Sequence, residues 1–197
     1  MDYMNSKTRQ RILRVALKIF ADCGYAGASV QSIVDGARVT KPVLYYYFGS
    51  KAGLYQALID WAHDERYRLM QEAAGRGKGV AKQLTEVLAA LFEFIHEHRA
   101  LMRIAFATAF AARREIPKEI IYLPKGVRNF EFMHTLVRAG VAAGELDGRI
   151  ATRELAMGIF GMMNLKVMWH LVDPRRKLTR RDAETMVQLY LDGARRR

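Results

Sequence analysis

The side chains with the most distinctive chemistry lie in the segment VTKPVLYYYFGSK, residues 39–51. Tyrosine hydroxyls and lysine ammonium groups donate hydrogen bonds that suit phosphate oxygens. Taken alone, however, a run of aromatic rings is more often core packing, and a surface lysine is most often simply solvated. The chemistry therefore depends on the helix faces on which these side chains lie.

Cap residues in and before this segment predict two short helices. Ser29 precedes VQSIVDGA and Thr40 precedes KPVLYYY, and each can serve as an N-cap. Pro42 is tolerated in the first turn of the second of these helices, where its missing N–H would have no partner. Two short helices joined by ARV have the form of a helix-turn-helix, whose second helix enters the major groove of DNA by its N-terminal residues.

The second of these helices is expected to divide its side chains between a core and a DNA-facing side. Leu44 and Phe48, four residues apart, share the buried face, and Tyr45 adjoins it. Tyr46 and Tyr47 should point progressively outward, with their hydroxyls in reach of phosphate, while the leading residues of the helix meet base edges. The residues expected to contact DNA are Ser29, Arg38, Thr40, Lys41, Pro42, Val43, Tyr46, Tyr47 and Lys51.

Candidate metal ligands and catalytic groups are sparse. His96 and His98 diverge on a helix because they are two residues apart, which argues against a shared metal ion. Cys23, beside Gly24 at a helix end, is expected to be a small core residue rather than a redox sensor. The acidic residues form no convergent pair, and no glycine-rich phosphate loop or nucleophile elbow occurs. We therefore expect no catalysis, no cofactor and no metal site.

The overall charge favours a polyanionic partner. The chain has 197 residues, with 32 Lys and Arg against 20 Asp and Glu, giving a formal net charge of +12. Nucleic acid and an acidic membrane surface both fit this charge. The single cysteine cannot form an internal disulfide, the N-terminus lacks the apolar run of a signal peptide, and no uncharged stretch reaches the roughly 18 residues of a membrane span. We expect a soluble cytoplasmic protein with no membrane partner.

Apolar residues recur at three- and four-residue spacing, which predicts an all-α fold of about nine helices. Gly24 is expected to stop the first helix, and the segment GRGKG, residues 75–79, is expected to be a loop. We expect a helix-turn-helix domain over residues 1–52 and a helical domain over residues 53–197. The predicted helices span residues 6–22, 30–37, 41–47, 51–74, 80–98, 100–113, 125–143, 150–171 and 179–194.

The segment LAMGIFGMMNLKVMW, residues 155–169, is apolar nearly all round, so more than one face of this helix must be covered. A second copy of the chain could cover one of these faces. Gly158 and Gly161 would let a facing helix approach closely. The last helix carries its own apolar stripe, formed by Met186, Val187, Tyr190 and Leu191.

Residues 7–60 resemble the DNA-binding domain of the TetR family of bacterial transcriptional repressors. The resemblance is carried by RILRVALKIFADCGYAGASVQSI and by ARVTKPVLYYYFGSKAGLYQAL, in which caps, apolar positions, aromatic residues and Lys51 fall in phase. Two positions depart from the family pattern. Arg38 stands in the turn where glycine is common, which implies either a left-handed backbone at a cost of roughly 1 kcal/mol or a differently shaped turn. Tyr47 stands where histidine is frequent.

The resemblance implies a homodimeric regulator, more often a repressor, that binds a palindromic operator and is released by a small apolar or amphipathic effector. The implied effector pocket lies among the middle helices, with candidate lining residues Trp61, Phe92, Phe106, Phe110 and Trp169, and with His96 or His170 to orient a polar group. The implied dimer interface lies on the last two helices, with candidates Gly158, Gly161, Leu165, Met186, Val187, Tyr190 and Leu191. The alternative is a basic helical protein that binds RNA or anionic membranes without sequence preference.

Overall fold

The computed structural model of the protein describes residues 6–112 and 115–194, and in these two stretches the chain forms helices and no strand. The all-α prediction is therefore confirmed. Only α1 ends more than one turn away from its predicted position. The helices are α1 (Lys7–Gly27), α2 (Val30–Ala37), α3 (Lys41–Phe48), α4 (Lys51–Ala74), α5 (Val80–Glu97), α6 (Arg99–Phe110), α7 (Leu123–Ala142), α8 (Thr152–Val172) and α9 (Arg180–Ala194).

Serine caps start three of the first four helices. The hydroxyls of Ser6, Ser29 and Ser50 each accept a hydrogen bond from the backbone N–H three residues later, at 3.1, 2.9 and 2.9 Å. Each bond satisfies a backbone donor that the helix itself leaves without a partner. Thr40 takes the N-cap position of α3 but forms no side-chain cap bond. The reason is local, because Pro42 provides no N–H at one of the two positions that a cap can bond.

Gly24 interrupts α1 instead of ending it. This residue has φ 71° and ψ 179°, and helical structure resumes after it as far as Gly27. The prediction that Cys23 is a core residue is wrong: its thiol is exposed and donates to the carbonyl of Ile19 at 3.1 Å. The helix breaks immediately after Cys23, so the buried line of Ile12, Ala16 and Phe20 does not continue to it.

The chain divides into two compact units, one formed by Met1–Ala62 with Ala100–Pro124 and one by His63–Arg99 with Lys125–Arg197. Helix α4 contributes residues to both units. This division by contacts differs from the predicted boundary after residue 52. That boundary separates a DNA-binding domain from an effector-binding and dimerisation domain, and it stays a prediction.

In the first unit, α1 contacts the start of α4 through the rings of Phe20 and Tyr55, whose centroids are 4.9 Å apart, and α6 also contacts α4. Leu44 and Leu54 are fully buried. The hydroxyl groups of Tyr55 and Thr108 are 2.8 Å apart and join α4 to α6. The Gln56 side chain bonds both the N–H and the carbonyl of Ile121, at 2.7 and 2.8 Å, and so holds the segment after α6 against α4.

In the second unit, α9 packs mainly on α5, and α8 also contacts both of these helices. The start of α9 has a capping box, because the N–H of Thr179 donates to Asp182 at 3.0 Å and the N–H of Asp182 donates to Thr179 at 3.2 Å. By length and composition α8 could cross a membrane, although 33% of its most apolar window is buried inside the chain. Soluble core helices pass the same test, so this finding alone does not indicate a membrane span.

Candidate nucleic-acid interface

Helix α3 presents its first residues to solvent and anchors its middle in the core. Lys41 and Pro42 are exposed, Val43 is half-buried and Leu44 is fully buried. Ile33 of α2 lies in the same core. The leading end of α3 is therefore free to meet base edges, as a recognition helix requires.

Arg38 forms the turn between the two short helices in the left-handed conformation, with φ 50° and ψ 52°. Its N–H donates to the carbonyl of Asp35 at 3.1 Å, and the N–H of Val39 donates to the carbonyl of Val34 at 3.0 Å. These two bonds form a Schellman motif, in which glycine is the usual residue at the left-handed position. The sequence left open whether Arg38 is left-handed or the turn is shaped differently, and the structure has the left-handed backbone. The exposed Arg38 side chain leaves from the turn that precedes α3.

The three tyrosines of α3 are arranged differently from the sequence-based order. Tyr45 is 44% exposed and Tyr46 is 68% exposed, whereas Tyr47 is half-buried. The Tyr47 hydroxyl accepts a hydrogen bond from the hydroxyl of Ser6 at 3.0 Å. The N-terminus of α1 therefore draws Tyr47 inward. Tyr45 and Tyr46 form the exposed aromatic surface of α3.

Lys51 is used inside its own unit. Its ammonium group donates to the carbonyl of Ala28 at 2.6 Å and lies 4.4 Å from the ring centroid of Tyr25. Burial lowers the pKa of the Lys51 ammonium group, because desolvation disfavours its charge. Lys51 thus holds the start of α4 against the end of α1, and its contact with phosphate stays a prediction.

The aromatic residues expected to line an effector pocket belong to both units. Trp61, Phe106 and Phe110 lie in the first unit, with Trp61 37% and Phe110 83% exposed. Phe92 and Trp169 lie in the second, where Phe92 is 1% exposed and Trp169 is half-exposed under the guanidinium of Arg176. Their role in binding a ligand stays a prediction.

The residues expected at a dimer interface divide sharply between the two last helices. On α8, Gly158, Gly161 and Leu165 are exposed. The expected residues of α9 are all buried within their own chain, and their place at a dimer interface stays a prediction: Met186, Val187, Tyr190 and Leu191. The α9 stripe packs inside the second unit, where α5 is the main neighbour of α9.

The second unit contains a cluster of charged residues that was not predicted from the sequence. His63 and Arg66 are buried on α4, and Lys125 and Arg128 of α7 lie close enough to His63 to affect its pKa. The signal in the sequence was a histidine and an arginine three residues apart on a helix whose neighbouring positions, such as Ala62 and Met70, are core residues. Among the described residues, no group of three or more His, Cys, Asp and Glu side chains could hold a metal ion.

Two family models together match most of the chain. The model for bacterial regulatory proteins of the tetR family matches residues 12–58, and the model for the tetracyclin repressor-like C-terminal domain matches residues 77–193.

Proteins named as transcriptional regulators are among the similar sequences. The HTH-type transcriptional activator FasR of Mycolicibacterium smegmatis is 29% identical over 112 residues, which are 57% of this chain and 51% of FasR. A probable acrEF/envCD operon repressor of Escherichia coli K12 is 28% identical over 152 residues, 72% of this chain and 67% of that protein. The chain spans about half the length or less of the first curated relatives that it matches.

Solved structures share the whole fold. FadR of Bacillus subtilis, solved with stearoyl-CoA, has a TM-score of 0.78 at 18% identity and covers 93% of this chain and 98% of its own. The ketosteroid transcriptional regulator KstR2 of Mycobacterium tuberculosis has a TM-score of 0.75 at 20% identity. The match covers 98% of this chain and 97% of KstR2. At these identities the similarity shows the fold.

Proposed function

Because the chain belongs to the TetR family of bacterial regulatory proteins, it is a DNA-binding transcriptional regulator, and we propose that it acts as a homodimeric repressor that a small molecule releases from its operator. It is not an enzyme. The observation that best supports this proposal is the exposed leading end of α3. Lys41 and Pro42 are exposed there, whereas the following Leu44 is buried. Operator DNA lies in the bacterial cytoplasm, so we propose that the protein is cytoplasmic.

The outer face of α8 supports the homodimer. Met157, Leu165, Met168 and Val172 are 55%, 52%, 45% and 73% exposed, and Gly161 completes their three- and four-residue spacing. Such a line follows one side of a helix for its whole length. A facing helix from a second copy would cover it, and the exposed Gly161 would allow close approach. Two-fold symmetry then requires two inverted half-sites about one DNA turn apart or a multiple of it.

Selection of bound sequences from random DNA tests the operator. We expect an inverted repeat, whereas the alternative of a basic helical protein predicts binding to DNA, RNA or anionic vesicles without sequence preference. The Lys41→Ala variant should then change the preferred sequence, because each good base contact contributes about 1–3 kcal/mol of discrimination. The Tyr46→Phe variant is the matched control, since loss of a phosphate contact should weaken selected and random DNA alike.

Release by an effector is the second part of the proposal. Helix α4 runs without a break from Lys51 to Ala74 and contributes to both units, so a ligand that favours one geometry of α4 would affect both. A typical coupling of about 1–3 kcal/mol would weaken operator binding by roughly 5- to 150-fold. The same factor must apply to effector binding when operator is saturating. Titration of an effector with and without saturating operator measures this factor. Equal effector affinities in the two titrations would exclude induction by that compound.

The sign of regulation is a separate question, because the similar sequences include an activator and a probable repressor. A reporter gene placed behind the selected operator, with and without the protein, distinguishes the two. Lower expression with the protein supports a repressor. Higher expression would leave the DNA-binding proposal in place and reverse its sign.

A further inference from the structure

Helix α4 carries an arginine in the core of the second unit. Arg66 is 6% exposed, and its Nε atom has no hydrogen-bond partner. Within residues 6–112 and 115–194, no hydrogen bond or ion pair involves its guanidinium group. Buried arginines are nearly always paired, because taking a charge out of water without a counter-charge is strongly unfavourable. Arg66 therefore lacks the anion that its position calls for.

The neighbours of Arg66 increase the positive potential. His63 lies three residues earlier on α4, is 8% exposed, and has no partner for its Nδ1 atom. Burial, together with the positive charges of Arg66, Lys125 and Arg128, lowers the pKa of His63 to about 4, although Asp64 acts in the opposite direction. His63 is consequently neutral near pH 7, and its ring can donate a hydrogen bond to an anion.

The nearby carboxylate does not neutralise Arg66. Asp64 is on the more exposed side of α4, where it accepts hydrogen bonds from Lys125 at 2.6 Å and from Arg128 at 2.8 Å. Arg128 also lies 4.2 Å from the ring centroid of Tyr67. Asp64 is thus engaged by Lys125 and Arg128, and no carboxylate of the described residues pairs with the buried Arg66.

The cluster also has a solvent side and an apolar side. The side chains of Lys125 and Arg128 are 29% and 37% exposed, so an anion can meet them from water. One turn beyond Arg66 on the same face of α4 lies Met70, which is fully buried. A molecule with a charged head and an apolar body would match this order of side chains.

We propose that Arg66, with His63, Lys125 and Arg128, forms an anion-binding site for the head group of the effector, and that the effector carries a carboxylate or a phosphate on an apolar body. Guanidinium groups bind both oxyanions through paired hydrogen bonds. The proposal rests on the effector-controlled function proposed above. It adds a polar anchor on α4 and α7 to the earlier candidates His96 and His170, which stay predictions.

The ligand-free protein provides the first test. Replacing an unpaired buried cation by an apolar side chain of similar length removes the unfavourable burial, so Arg66→Met should raise the melting temperature. Arg138→Met, at an exposed position of α7 in the same unit, is the control and should change it little. A lower melting temperature for Arg66→Met would show that Arg66 has a structural partner and would overturn the proposal.

Ligand binding provides the second test, with dodecanoate and dodecyl phosphate below their critical micelle concentrations and the uncharged dodecanol below its solubility limit. We expect calorimetric binding of at least one of the two anions, a dissociation constant about 10- to 100-fold higher in Arg66→Met, and partial recovery in Arg66→Lys. Comparison of the two anions shows which head group is preferred. Equal binding of dodecanol, or unchanged anion binding in Arg66→Met, would overturn the proposal.

Inorganic phosphate and operator DNA complete the design. Binding of inorganic phosphate as tight as that of dodecyl phosphate would overturn the apolar part of the assignment. Operator binding is measured on the same samples. Sequence-specific DNA binding without any anion binding would refute this inference alone, whereas absence of sequence-specific binding would refute the proposed function whatever the anions do.

Discussion

Helices α8 and α9 both carry long apolar stripes, but the structure uses them differently. The α9 residues Met186 and Leu191 are 3% and 5% exposed, because α9 packs against α5 of its own chain. On α8, Leu165 and Val172 are 52% and 73% exposed although the opposite side of the helix is buried. One helix completes the core of a single chain, and the other has a second apolar side that the chain does not cover.

The difference follows from how the apolar residues are distributed around each helix. The buried line of α8 includes Leu155, Ile159 and Met163, and the exposed line begins two residues later with Met157 and Gly161. Positions two residues apart point to widely different sides of a helix. A helix with two such lines needs two partners, whereas the single line of α9 needs only one. The number of apolar sides therefore indicates an interface better than total hydrophobicity does.

The largest expected effect is that of Leu191→Asp on α9. A buried carboxylate without a partner should lower the free energy of unfolding by about 4 kcal/mol. Urea denaturation followed by circular dichroism measures this loss. Leu189→Asp is the matched control, because Leu189 is 65% exposed on the same helix, and its effect should be below about 1 kcal/mol. Similar losses for both variants would contradict the assignment of α9 to the core.

The second effect is that of Leu165→Asp on α8, which should leave the fold intact and separate the dimer. Two charges brought into one apolar interface should raise the dimer dissociation constant by about 100-fold or more. Sedimentation velocity measures the constant, and circular dichroism checks the helix content. Glu154→Ala, near the start of the same helix, is the control. A wild-type protein that is monomeric at micromolar concentration would refute the dimer itself.

A smaller effect is expected for the ionic contact between α9 and α5. Hydrogen bonds from Arg180 and then Lys82 lower the pKa of Glu86 to about 2 from 4.5. Because the folded-state pKa is depressed, this carboxylate adds stability above pH 4.5, and that stability is lost as the pH falls towards 2. Acid titrations should show a shallower decline for Glu86→Gln over this window. The exposed Glu93→Gln on the same helix should behave like the wild type.

The smallest effect concerns the ion pair that joins the two compared helices. Lys166 of α8 lies 2.5 Å from Asp182 of α9, but these side chains are 40% and 29% exposed. Partly exposed pairs contribute little, since solvent screens them. A double-mutant cycle of Lys166→Met and Asp182→Asn should give a coupling below about 1 kcal/mol. A larger value would mean that polar contacts, and not apolar packing, hold α8 against α9.

Sequence alone was sufficient where the signals were local. The cap Ser29 and the buried position of Leu44 both depend on residues within a few positions along the chain. Each such signal fixes backbone geometry through a nearby hydrogen bond or through side-chain spacing. The all-α fold and the arrangement of the helix-turn-helix were predictable for this reason.

Contacts between distant residues were not predictable in this way. Tyr47 is turned inward by Ser6, and Lys51 is held by the carbonyl of Ala28, but nothing near either residue in the sequence marks its partner. Likewise, the stripe on α9 indicated that a cover was needed without indicating that α5 provides it. Arg66 was missed because an arginine on a helix is ordinarily a surface residue.

The left-handed turn at Arg38 affects folding stability and operator binding in opposite directions. Replacement by glycine would remove the backbone strain and should stabilise the fold by about 1 kcal/mol. The same change would delete an exposed cation just before the recognition helix. A library screened for heat resistance should therefore enrich Arg38→Gly, and a library screened for operator occupancy should lose it. At Arg38 operator binding would then be retained at the expense of folding stability, a trade-off that is common for functional residues.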